Sequence, residues 1–509
     1  FHGSAGATGC GCDARGRGAA GSGAVLALAI LLVIAPLRRI RRFMARLGTT
    51  VWVVAIACLP GCDCGSAPCG SSKCMAGEVA HAPGKWTSIA GDDQRVMLAT
   101  YDPQNGDLVV VDATNAQKLK YTVVDGVPTG TTPTYDPGTY RGGIMDPGPD
   151  VGAWTSIALA NHSARVAYQD RDALALKYAY EDGDHHWHSH VVDDGAGNAA
   201  GEYANMVIDA DGHSAIAYLV LGVDDGMGHR VTELQLARAS KTGPSATSDW
   251  NITTIASAPG SCAGMCTGGD VCVPGTPQVC ATPTSSCSPG CGSGDACVNN
   301  ACVTPIVDPM VDDVPTGTGL WASLVVMSDG RLGAAYYDRA RRALIFSIES
   351  AKGSNQFTET VLDGNVADAD RGMWSSAVVA PDDTVHLAYQ DALGDELMYT
   401  TWSNGTAGTP EVVDDGTRPG DRTHPVGAGN AIYLVGGTPA IAYQDAMTAD
   451  VYVATRGPSM WSVAPLATGP LLDGFSIGAT TAHGGTPVLA WDLRDPSQAP
   501  PNGLQVMQP

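Results

Sequence analysis

The chain has 509 residues, of which 63 are Gly and 32 are Pro; 16% are charged, and the net charge is −23 at pH 7. This composition excludes a protein of long helices and favours an all-β repeat protein, whose short segments reverse often. So acidic a surface excludes nucleic acid and anionic membrane as partners, and leaves cations, cationic proteins or neutral glycans. The charge is equally consistent with a simple role in keeping an exported protein soluble.

Residues 44–61 have the pattern of a signal peptide. A basic start at Met44 precedes an apolar run, and the segment ends in Leu59-Pro60-Gly61-Cys62, which resembles the lipobox of bacterial lipoproteins. The resemblance implies that Cys62 carries the lipid, with Cys58 as the alternative because Pro60 departs from the usual pattern. A transmembrane anchor or an ordinary cleaved signal is the competing interpretation.

The flanks of this signal are assigned by exclusion. Residues 1–43 are interpreted as an upstream extension outside the fold, since a credible signal begins only at Met44. Residues 62–77 are interpreted as a Cys-rich linker. The first 61 residues hold seven basic residues and one acidic residue, so their removal makes the mature protein still more acidic.

A repeat of about fifty residues covers the remainder of the chain, as expected for propeller blades. Each unit opens with an aromatic residue, and in the sixth unit, which lacks it, the opening strand is predicted near Ala431 to Val435. The opening aromatics are Trp86, Trp154, Tyr203, Trp321, Trp374 and, more weakly, Phe475. A second segment ends in Ala-Tyr-x-Asp, with its clearest copies at Asp170, Asp338, Asp391 and Asp445. A third follows, and the fourth ends in a Val-Asp-Gly corner at Asp125, Asp193, Asp363 and Asp414.

Four short strands repeated seven times predict a seven-bladed β-propeller of four-stranded blades. Residues 78–260 are assigned to blades 1–3 and residues 304–509 to blades 4–7. The last unit contains only three strands, so residues 78–84 are predicted to complete blade 7 and close the ring, which would otherwise expose unpaired edges. The repeated Trp and Tyr side chains are predicted to form the core between blades rather than to bind a ligand.

A disulfide-rich insert is predicted at residues 261–303. Its cysteines form a tandem pattern in a segment with too few apolar residues to fold alone, and an exported protein meets an oxidising compartment, so four disulfides are expected. Zinc is the alternative, although no Cys-x2-Cys knuckle or accompanying His is present. The insert is expected to protrude from the propeller. The cysteines are Cys262, Cys266, Cys272, Cys280, Cys287, Cys291, Cys297 and Cys302.

The repeated aspartates have a structural and a functional interpretation. Because they recur in nearly every blade, Asp170, Asp338, Asp391 and Asp445 are expected to cap backbone amides at turns. They and the corner aspartates are predicted to lie on one acidic face of the propeller. Calcium binding or catalysis is the alternative.

One histidine-rich segment has no counterpart in the other repeats. The sequence His-His-Trp-His-Ser-His at residues 185–190 belongs to a fourth strand, where His186, His188 and His190 share one face. Three imidazoles so spaced can bind zinc or copper, which makes a divalent metal the only cofactor candidate. The competing interpretation is that polar residues protect the outer edge of the blade.

In blade number and in its repeated Trp and Asp residues the chain resembles the sialidase-like propellers. That resemblance implies a glycosidase with an arginine cluster, a Tyr activated by a Glu and an acidic Asp. Here Arg141, Arg165, Arg342, Arg418 and Arg422 are scattered, and no Tyr–Glu pair can be assigned, so no catalytic residue is proposed.

The sequence therefore favours a monomeric, lipid-anchored propeller of the cell envelope that binds a protein or a glycan, rather than an enzyme. A glycoside hydrolase with its site in the central funnel is one alternative, and it would require two carboxylates there. A passive spacer that presents the disulfide module to another protein is the other.

Overall fold

The structure is a computed structural model, and it describes residues 83–103, 105–127, 148–224, 230–259, 266, 268–273, 279–284, 287–288, 290–305, 317–366, 368–495 and 502–507. In this part of the chain the secondary structure consists of thirty-two β-strands and three short 3-10 helices, Gly195–Gly197, Thr247–Asp249 and His483–Gly485. Seven antiparallel sheets follow one another in chain order, so the chain is an all-β, seven-bladed propeller.

The first three blades are four-stranded meanders in which each strand pairs with the next. Blade 1 contains β1 (Lys85–Gly91), β2 (Val96–Asp102), β3 (Asp107–Asp112) and β4 (Lys120–Asp125). Blade 2 contains β5 (Val151–Ala160), β6 (Ser163–Asp170), β7 (Ala175–Glu181) and β8 (Trp187–Asp193). Blade 3 contains β9 (Ala199–Ile208), β10 (Ser214–Asp224), β11 (Arg230–Ala239) and β12 (Trp250–Pro259).

The insert lies between blades 3 and 4 and forms two small hairpins. They are β13 (Val271–Val273) with β14 (Val279–Ala281), and β15 (Ala296–Val298) with β16 (Ala301–Val303). Disulfides join Cys266 to Cys280, Cys287 to Cys297 and Cys291 to Cys302. Cys272 is also disulfide-bonded, and Cys262 lies outside the described residues. Disulfide bonding in the insert is thus confirmed, and each of these three linkages ties one strand of a hairpin to the segment that precedes the hairpin.

Blades 4–7 resume the same pattern. Blade 4 contains β17 (Thr318–Val326), β18 (Leu332–Asp338), β19 (Ala343–Glu349) and β20 (Phe357–Gly364). Blade 5 contains β21 (Arg371–Val379), β22 (Val385–Asp391), β23 (Glu396–Ser403), β24 (Thr406–Ala407) and β25 (Glu411–Asp414), the last two both pairing with β23. Blade 6 contains β26 (Ala431–Val435), β27 (Thr438–Asp445), β28 (Asp450–Arg456) and β29 (Trp461–Ala467). Blade 7 contains β30 (Leu472–Ala482), β31 (Thr486–Arg494) and β32 (Asn502–Met507).

The first strands of the blades form a closed circle. Each contacts the first strand of the next blade, and β30 of blade 7 contacts β1 of blade 1. Blade 7 is three-stranded within the described residues, as predicted from the sequence. The predicted closing strand at 78–84 falls largely outside the described part of the chain, although Gly84 lies against Asp492 and Gly503 of blade 7.

The hydrophobic core is divided among the seams between blades. Seven clusters of buried apolar residues each join two neighbouring blades, including one between blades 7 and 1, and an eighth lies near the axis. The Tyr side chains of the Ala-Tyr-x-Asp strands are fully buried in these seams at Tyr168, Tyr218, Tyr336, Tyr389 and Tyr443. The predicted inter-blade role is confirmed for these tyrosines. It is wrong for the opening Trp residues, which remain partly exposed.

Candidate functional site

The opening aromatic of each blade has an unusual backbone. Trp86, Trp154, Tyr203, Trp321 and Trp374 have φ between 48° and 57°, in the left-handed region that bulky L-residues rarely occupy. Blades 6 and 7 place Gly429 (φ 60°) and Ser476 (φ 52°) at the same point. The conformation is therefore a property of the blade rather than of one side chain, and it costs about 1–3 kcal/mol at each non-glycine position.

A glycine two residues earlier prepares this turn. It also has a positive φ, and its lack of a side chain admits the backbone of the preceding blade. A Cβ on Gly372 would lie 2.8 Å from the Cα of Leu344, and one on Gly152 would lie 2.7 Å from the Cα of Leu108. The glycines at this position are Gly84, Gly152, Gly201, Gly319, Gly372, Gly427 and Gly474. The Gly-x-aromatic spacing is visible in the sequence and is the signal that could have identified this turn.

The left-handed residue interrupts the regular pairing of the first strand with the second. In blade 5 the register jumps between Met373 and Ser376, and corresponding irregularities occur in β1, β5, β9, β17 and β30. A β-bulge of this kind redirects a side chain out of the pleat. Here it turns the aromatic side chains toward the axis of the propeller.

The five aromatic rings form a continuous arc around the axis, called here the aromatic arc. The ring centroids of Trp86 and Trp154 are 5.0 Å apart, and those of Trp154 and Tyr203 are 4.2 Å apart. Trp321 extends the arc, 5.3 Å from Tyr203 and 5.0 Å from Trp374. The arc spans blades 1–5 and ends where Gly429 and Ser476 replace the aromatic.

The aromatic arc lines an axial cavity of about 170 Å³ to which every blade contributes. The lining residues are Trp86, Thr87, Trp154, Thr155, Tyr203, Ala204, Trp321, Ala322, Trp374, Ser375, Gly429, Asn430, Ser476 and Ile477. This lining, taken over the described residues, contains no Asp, Glu, His, Lys or Arg. The arginines considered for a sialidase-like site are therefore not gathered here, and Arg141 lies outside the described residues.

Hydrogen bonds tie the first strands to one another around the cavity. The Ser156 hydroxyl accepts the Met206 N–H at 2.9 Å, and the Asn205 side-chain oxygen accepts the Leu324 N–H at 2.8 Å. In the next blades Ser323 accepts from Ala377 and Ser376 accepts from Ile432. Polar side chains of the lining are bonded as well, since the Ser375 hydroxyl donates to the Trp321 carbonyl at 2.6 Å and the Asn430 side-chain amide donates to the Trp374 carbonyl at 2.8 Å.

The corner aspartates connect neighbouring blades. The Tyr168 hydroxyl donates to Asp125 at 2.6 Å, the Tyr218 hydroxyl to Asp193 at 2.7 Å, and the Tyr443 hydroxyl to Asp414 at 2.6 Å. Tyr389 makes the same bond with Asp363. Burial first, and the neighbouring carboxylate second, raise the pKa of each of these hydroxyls. The tyrosines therefore remain donors at neutral pH.

The four repeated aspartates lie at the turn after the second strand of their blades. Asp170 accepts the Ala173 N–H at 2.9 Å, Asp338 the Arg341 N–H at 2.9 Å, and Asp391 the Leu393 N–H at 3.0 Å. Asp445 accepts the Met447 N–H at 3.1 Å. All four are buried, and each has a backbone amide as partner.

The structure places the three candidate metal ligands in different surroundings. The His188 Nε2 lies 2.7 Å from the Asp182 carboxylate, and this contact lowers the pKa of Asp182 to about 2. The His190 Nε2 accepts the indole N–H of Trp250 at 3.0 Å. His186 is 76% exposed. Within the described residues, two groups of side chains place possible metal-ligand atoms within 4.8 Å of one another, and neither group includes these histidines. They are Cys287, Cys291 and Cys302, which form disulfides, and Asp92, Asp93 and His162.

Comparison with known proteins finds matches among solved structures. No family model matches the sequence, and no curated protein matches it. Among solved structures, a Hadza microbial sialidase is 11% identical over 81% of this chain and 73% of its own, with a TM-score of 0.40. The GH93 α-L-arabinofuranosidase of Fusarium graminearum is 11% identical over 74% and 96% of the two chains, with a TM-score of 0.39. The polysaccharide lyase Uly1 is 10% identical over 84% and 91%, with a TM-score of 0.45.

Disulfide bonding favours an extracellular or envelope location. In the part of the chain that the structure describes, no helix has the length and apolar character needed to span a bilayer. The lipidation candidates Cys58 and Cys62 lie outside that part.

Proposed function

We propose that this propeller is a carbohydrate-binding protein of the cell envelope, with an uncharged part of a glycan seated against the aromatic arc. The supporting observation is the arc itself, in which four partly exposed Trp rings and the buried Tyr203 ring are in mutual contact on strained backbone. Blades 6 and 7 carry smaller residues there, so the ring of seven blades does not itself require the aromatics.

The chemistry of the arc suits a sugar. The C–H face of a pyranose is apolar and presents slightly positive hydrogens, which match the negative face of an indole or phenol ring. The residues of the lining carry no charge, which favours a neutral ligand, and a cation beside the arc, the Lys85 ammonium, lies 4.0 Å from the centre of the Trp86 ring. A cavity of about 170 Å³ accommodates part of a chain or one terminal residue rather than a long oligosaccharide.

Binding is favoured over hydrolysis at this place. A glycosidase needs an acid and a second carboxylate roughly 5–10 Å apart on either side of the bond that it cleaves. Among the described residues, the lining of the axial cavity supplies no carboxylate. The aspartates nearest to the turns cap amides or accept tyrosine hydroxyls, so their observed contacts are structural.

The test is a glycan array with the wild-type protein, followed by calorimetric titration of the best ligand with Trp374→Gly. Glycine occupies the same left-handed position naturally at Gly429, so this variant is expected to fold. The loss of one stacking ring is expected to weaken binding by about tenfold. Met460→Ala, at a side chain that is 71% exposed, is the control and should bind normally.

Two results would contradict the proposal. One is wild-type protein that binds no glycan on the array, and the other is a Trp374→Gly variant that binds as tightly as wild type. Chromogenic glycosides, assayed in parallel, examine the hydrolase alternative. Turnover that is abolished by one Asp→Asn change would establish catalysis instead.

We also propose that the protein is held at the membrane through a lipid on Cys62, as the lipobox-like sequence suggests. A lipid-anchored propeller would present its binding surface in the envelope. The test is detergent phase partition and intact mass of the exported protein, with Cys62→Ser and Cys58→Ser side by side. Loss of the lipid mass in Cys62→Ser alone supports the proposal, whereas loss in Cys58→Ser alone identifies Cys58 as the anchor.

A further inference from the structure

A second cavity lies in the seam between blades 1 and 2, away from the axis. It measures about 350 Å³ and is lined by Arg95, Met97, Val110, Asp112, Lys120, Thr122, Glu181, His185 and Trp187. We call it the seam pocket. Its walls include the outer strands β4 and β8, and its charged floor lies where β2 begins and β7 ends. These are the strand ends opposite to those that carry the aromatic arc, so the two sites are separate.

The floor of the seam pocket is formed by an ion pair between Arg95 and Glu181. The Arg95 guanidinium donates to both oxygens of Glu181, at 2.6 and 3.2 Å, and the Glu181 side chain is only 4% exposed. Glu181 also accepts the Ala164 N–H at 3.2 Å and lies 2.7 Å from the His185 ring. Burial opposes ionisation of Glu181, but Arg95, His185 and the amide outweigh it and lower the pKa of this carboxyl. The charges of Arg95 and Glu181 therefore compensate each other, and several hydrogen bonds hold Glu181 in place.

The rim of the pocket carries a lysine and a histidine that are largely exposed. The Lys120 ammonium is 71% exposed and lies 4.0 Å from Asp112, at the limit of an ion pair. The His185 side chain is 75% exposed, and its Nδ1 faces Glu181, so Nε2 is the ring nitrogen directed away from that contact. Lys120 thus offers a cation to an anion at the rim, and His185 offers a second exposed polar side chain in the same lining, in a protein with a net charge of −23.

Trp187, Met97 and Val110 are the apolar residues of the pocket lining. Trp187 is partly buried against the cluster that joins blades 1 and 2, and Met97 and Val110 are buried beneath the pocket. The exposed part of the Trp187 indole suits the C–H face of a sugar ring. Thr122 and Asp112 add a hydroxyl and a carboxylate for hydrogen bonds to sugar hydroxyls.

We infer that the seam pocket binds an acidic sugar, with the ring against Trp187 and the carboxylate at Lys120 and His185. The cavity lies at the lower end of the volumes of small-molecule sites, which corresponds to a single residue of a uronic acid. This ligand site uses His185 and Trp187, at the start of β8. Trp187 lies on the face of the strand opposite to the face of His186, His188 and His190, which was predicted to bind metal. The inference does not depend on the aromatic arc.

The test uses D-glucuronate and D-glucose as probes, which share the ring and differ in the carboxylate. Saturation-transfer NMR with the whole exported protein is expected to show saturable binding of glucuronate and much weaker binding of glucose. Lys120→Gln should weaken glucuronate binding about three- to fivefold, as expected for a partly exposed ion pair. Lys118→Gln, an equal change of charge at an exposed residue outside the lining, should leave it unchanged.

Three results would overturn the inference. These are no saturable glucuronate signal with wild type, equal losses in Lys118→Gln and Lys120→Gln, or complete displacement of glucuronate by an equal concentration of inorganic phosphate. Trp374→Gly separates the two sites. It should weaken glycan binding at the aromatic arc about tenfold and leave the glucuronate signal intact, and loss of that signal would place the acidic sugar in the axial cavity instead.

Discussion

At the scale of the residue, the tyrosine of Ala-Tyr-x-Asp forms a hydrogen bond with a residue of the previous repeat. Its ring fills a seam, and its hydroxyl donates to the corner aspartate of the previous blade, as in Tyr168 with Asp125 and Tyr218 with Asp193. A buried hydroxyl would otherwise lose its hydrogen bond to water on folding. The aspartate therefore satisfies the hydroxyl, and the pair fixes how one blade sits on the next.

Removing one such hydroxyl is expected to destabilise the protein. In Tyr389→Phe the Asp363 carboxylate loses a buried donor, so the free energy of unfolding should fall by about 1–3 kcal/mol. Urea denaturation followed by tryptophan fluorescence measures the change. Tyr121→Phe, at a side chain that is 47% exposed, is the control and should differ from wild type by less than about 0.5 kcal/mol. Equal effects of the two substitutions would contradict the role assigned to the pair.

The glycine before the aromatic can be tested with a matched pair of glycines. Gly372→Ala combines a positive φ with a Cβ 2.8 Å from the Cα of Leu344, whereas Gly405→Ala has a positive φ and no atom within 4 Å. We expect Gly405→Ala to cost about 1–2 kcal/mol for the backbone alone. Gly372→Ala should cost clearly more because blade 5 must move away from blade 4. Thermal unfolding of both variants compares them, and equal midpoints would show that the close approach is unimportant.

At the scale of the element, the insert changes the seam that it interrupts. Blade 3 has no Val-Asp-Gly corner in the sequence, and the Tyr336 hydroxyl bonds instead to Ser347 at 3.0 Å within its own blade. This seam is held by other contacts. The Thr232 hydroxyl accepts the Thr318 N–H at 3.0 Å, and Arg238 donates to the buried Glu349 at 2.7 Å.

The described part of the insert contributes nothing to the apolar seams, since none of the eight buried clusters contains a residue from it. Reduction of its disulfides should therefore change the free energy of unfolding of the propeller by less than about 1 kcal/mol. Tryptophan fluorescence reports this selectively because residues 261–303 contain no Trp. A large drop in the unfolding midpoint with reductant, relative to the same protein without it, would mean that the insert braces blades 3 and 4.

At the scale of the whole molecule, the ring closes at blade 7, where Asp492 is fully buried. The equivalent aspartates cap turns, but one carboxylate oxygen of Asp492 has no hydrogen-bond partner within the described residues, and Gly84 lies against it. Arg494 lies 3.3 Å from the other oxygen. Burial outweighs the nearby Arg494 and Lys85 and raises the pKa of Asp492 to about 6.

This carboxyl makes closure of the ring sensitive to pH. Between about pH 4 and 6 the folded protein holds a proton that the unfolded chain releases, so the contribution of Asp492 to stability is greatest below pH 4. It is lost as the pH rises through 6, and the loss amounts to about 3 kcal/mol. Asp492→Asn should therefore gain stability relative to wild type on going from pH 4 to pH 7. Urea denaturation at both pH values measures this, and a difference that is independent of pH would contradict it.

Much of this architecture was predictable because a blade is a local unit. Alternation along the strands, the turn residues and the Ala-Tyr-x-Asp copies identify the strands, and even the atypical β26 lies at the predicted Ala431–Val435. A site in the central funnel was one of the alternatives, but its aromatic lining was not predicted. The same aromatic residues are compatible with a buried core and with a cavity wall, and only the bulge at φ near 50° directs them to the axis.

The sequence by itself determined that seven sheets of about fifty residues each would bury their faces against one another, since the periodic pattern and the turns are written locally. The tertiary structure alone decided which side chains meet. Tyr389 and Asp363 lie in different repeats, as do the five members of the aromatic arc and the walls of the seam pocket. Such meetings depend on the angle and closure of the ring, and these arise from packing between blades, which no single repeat encodes.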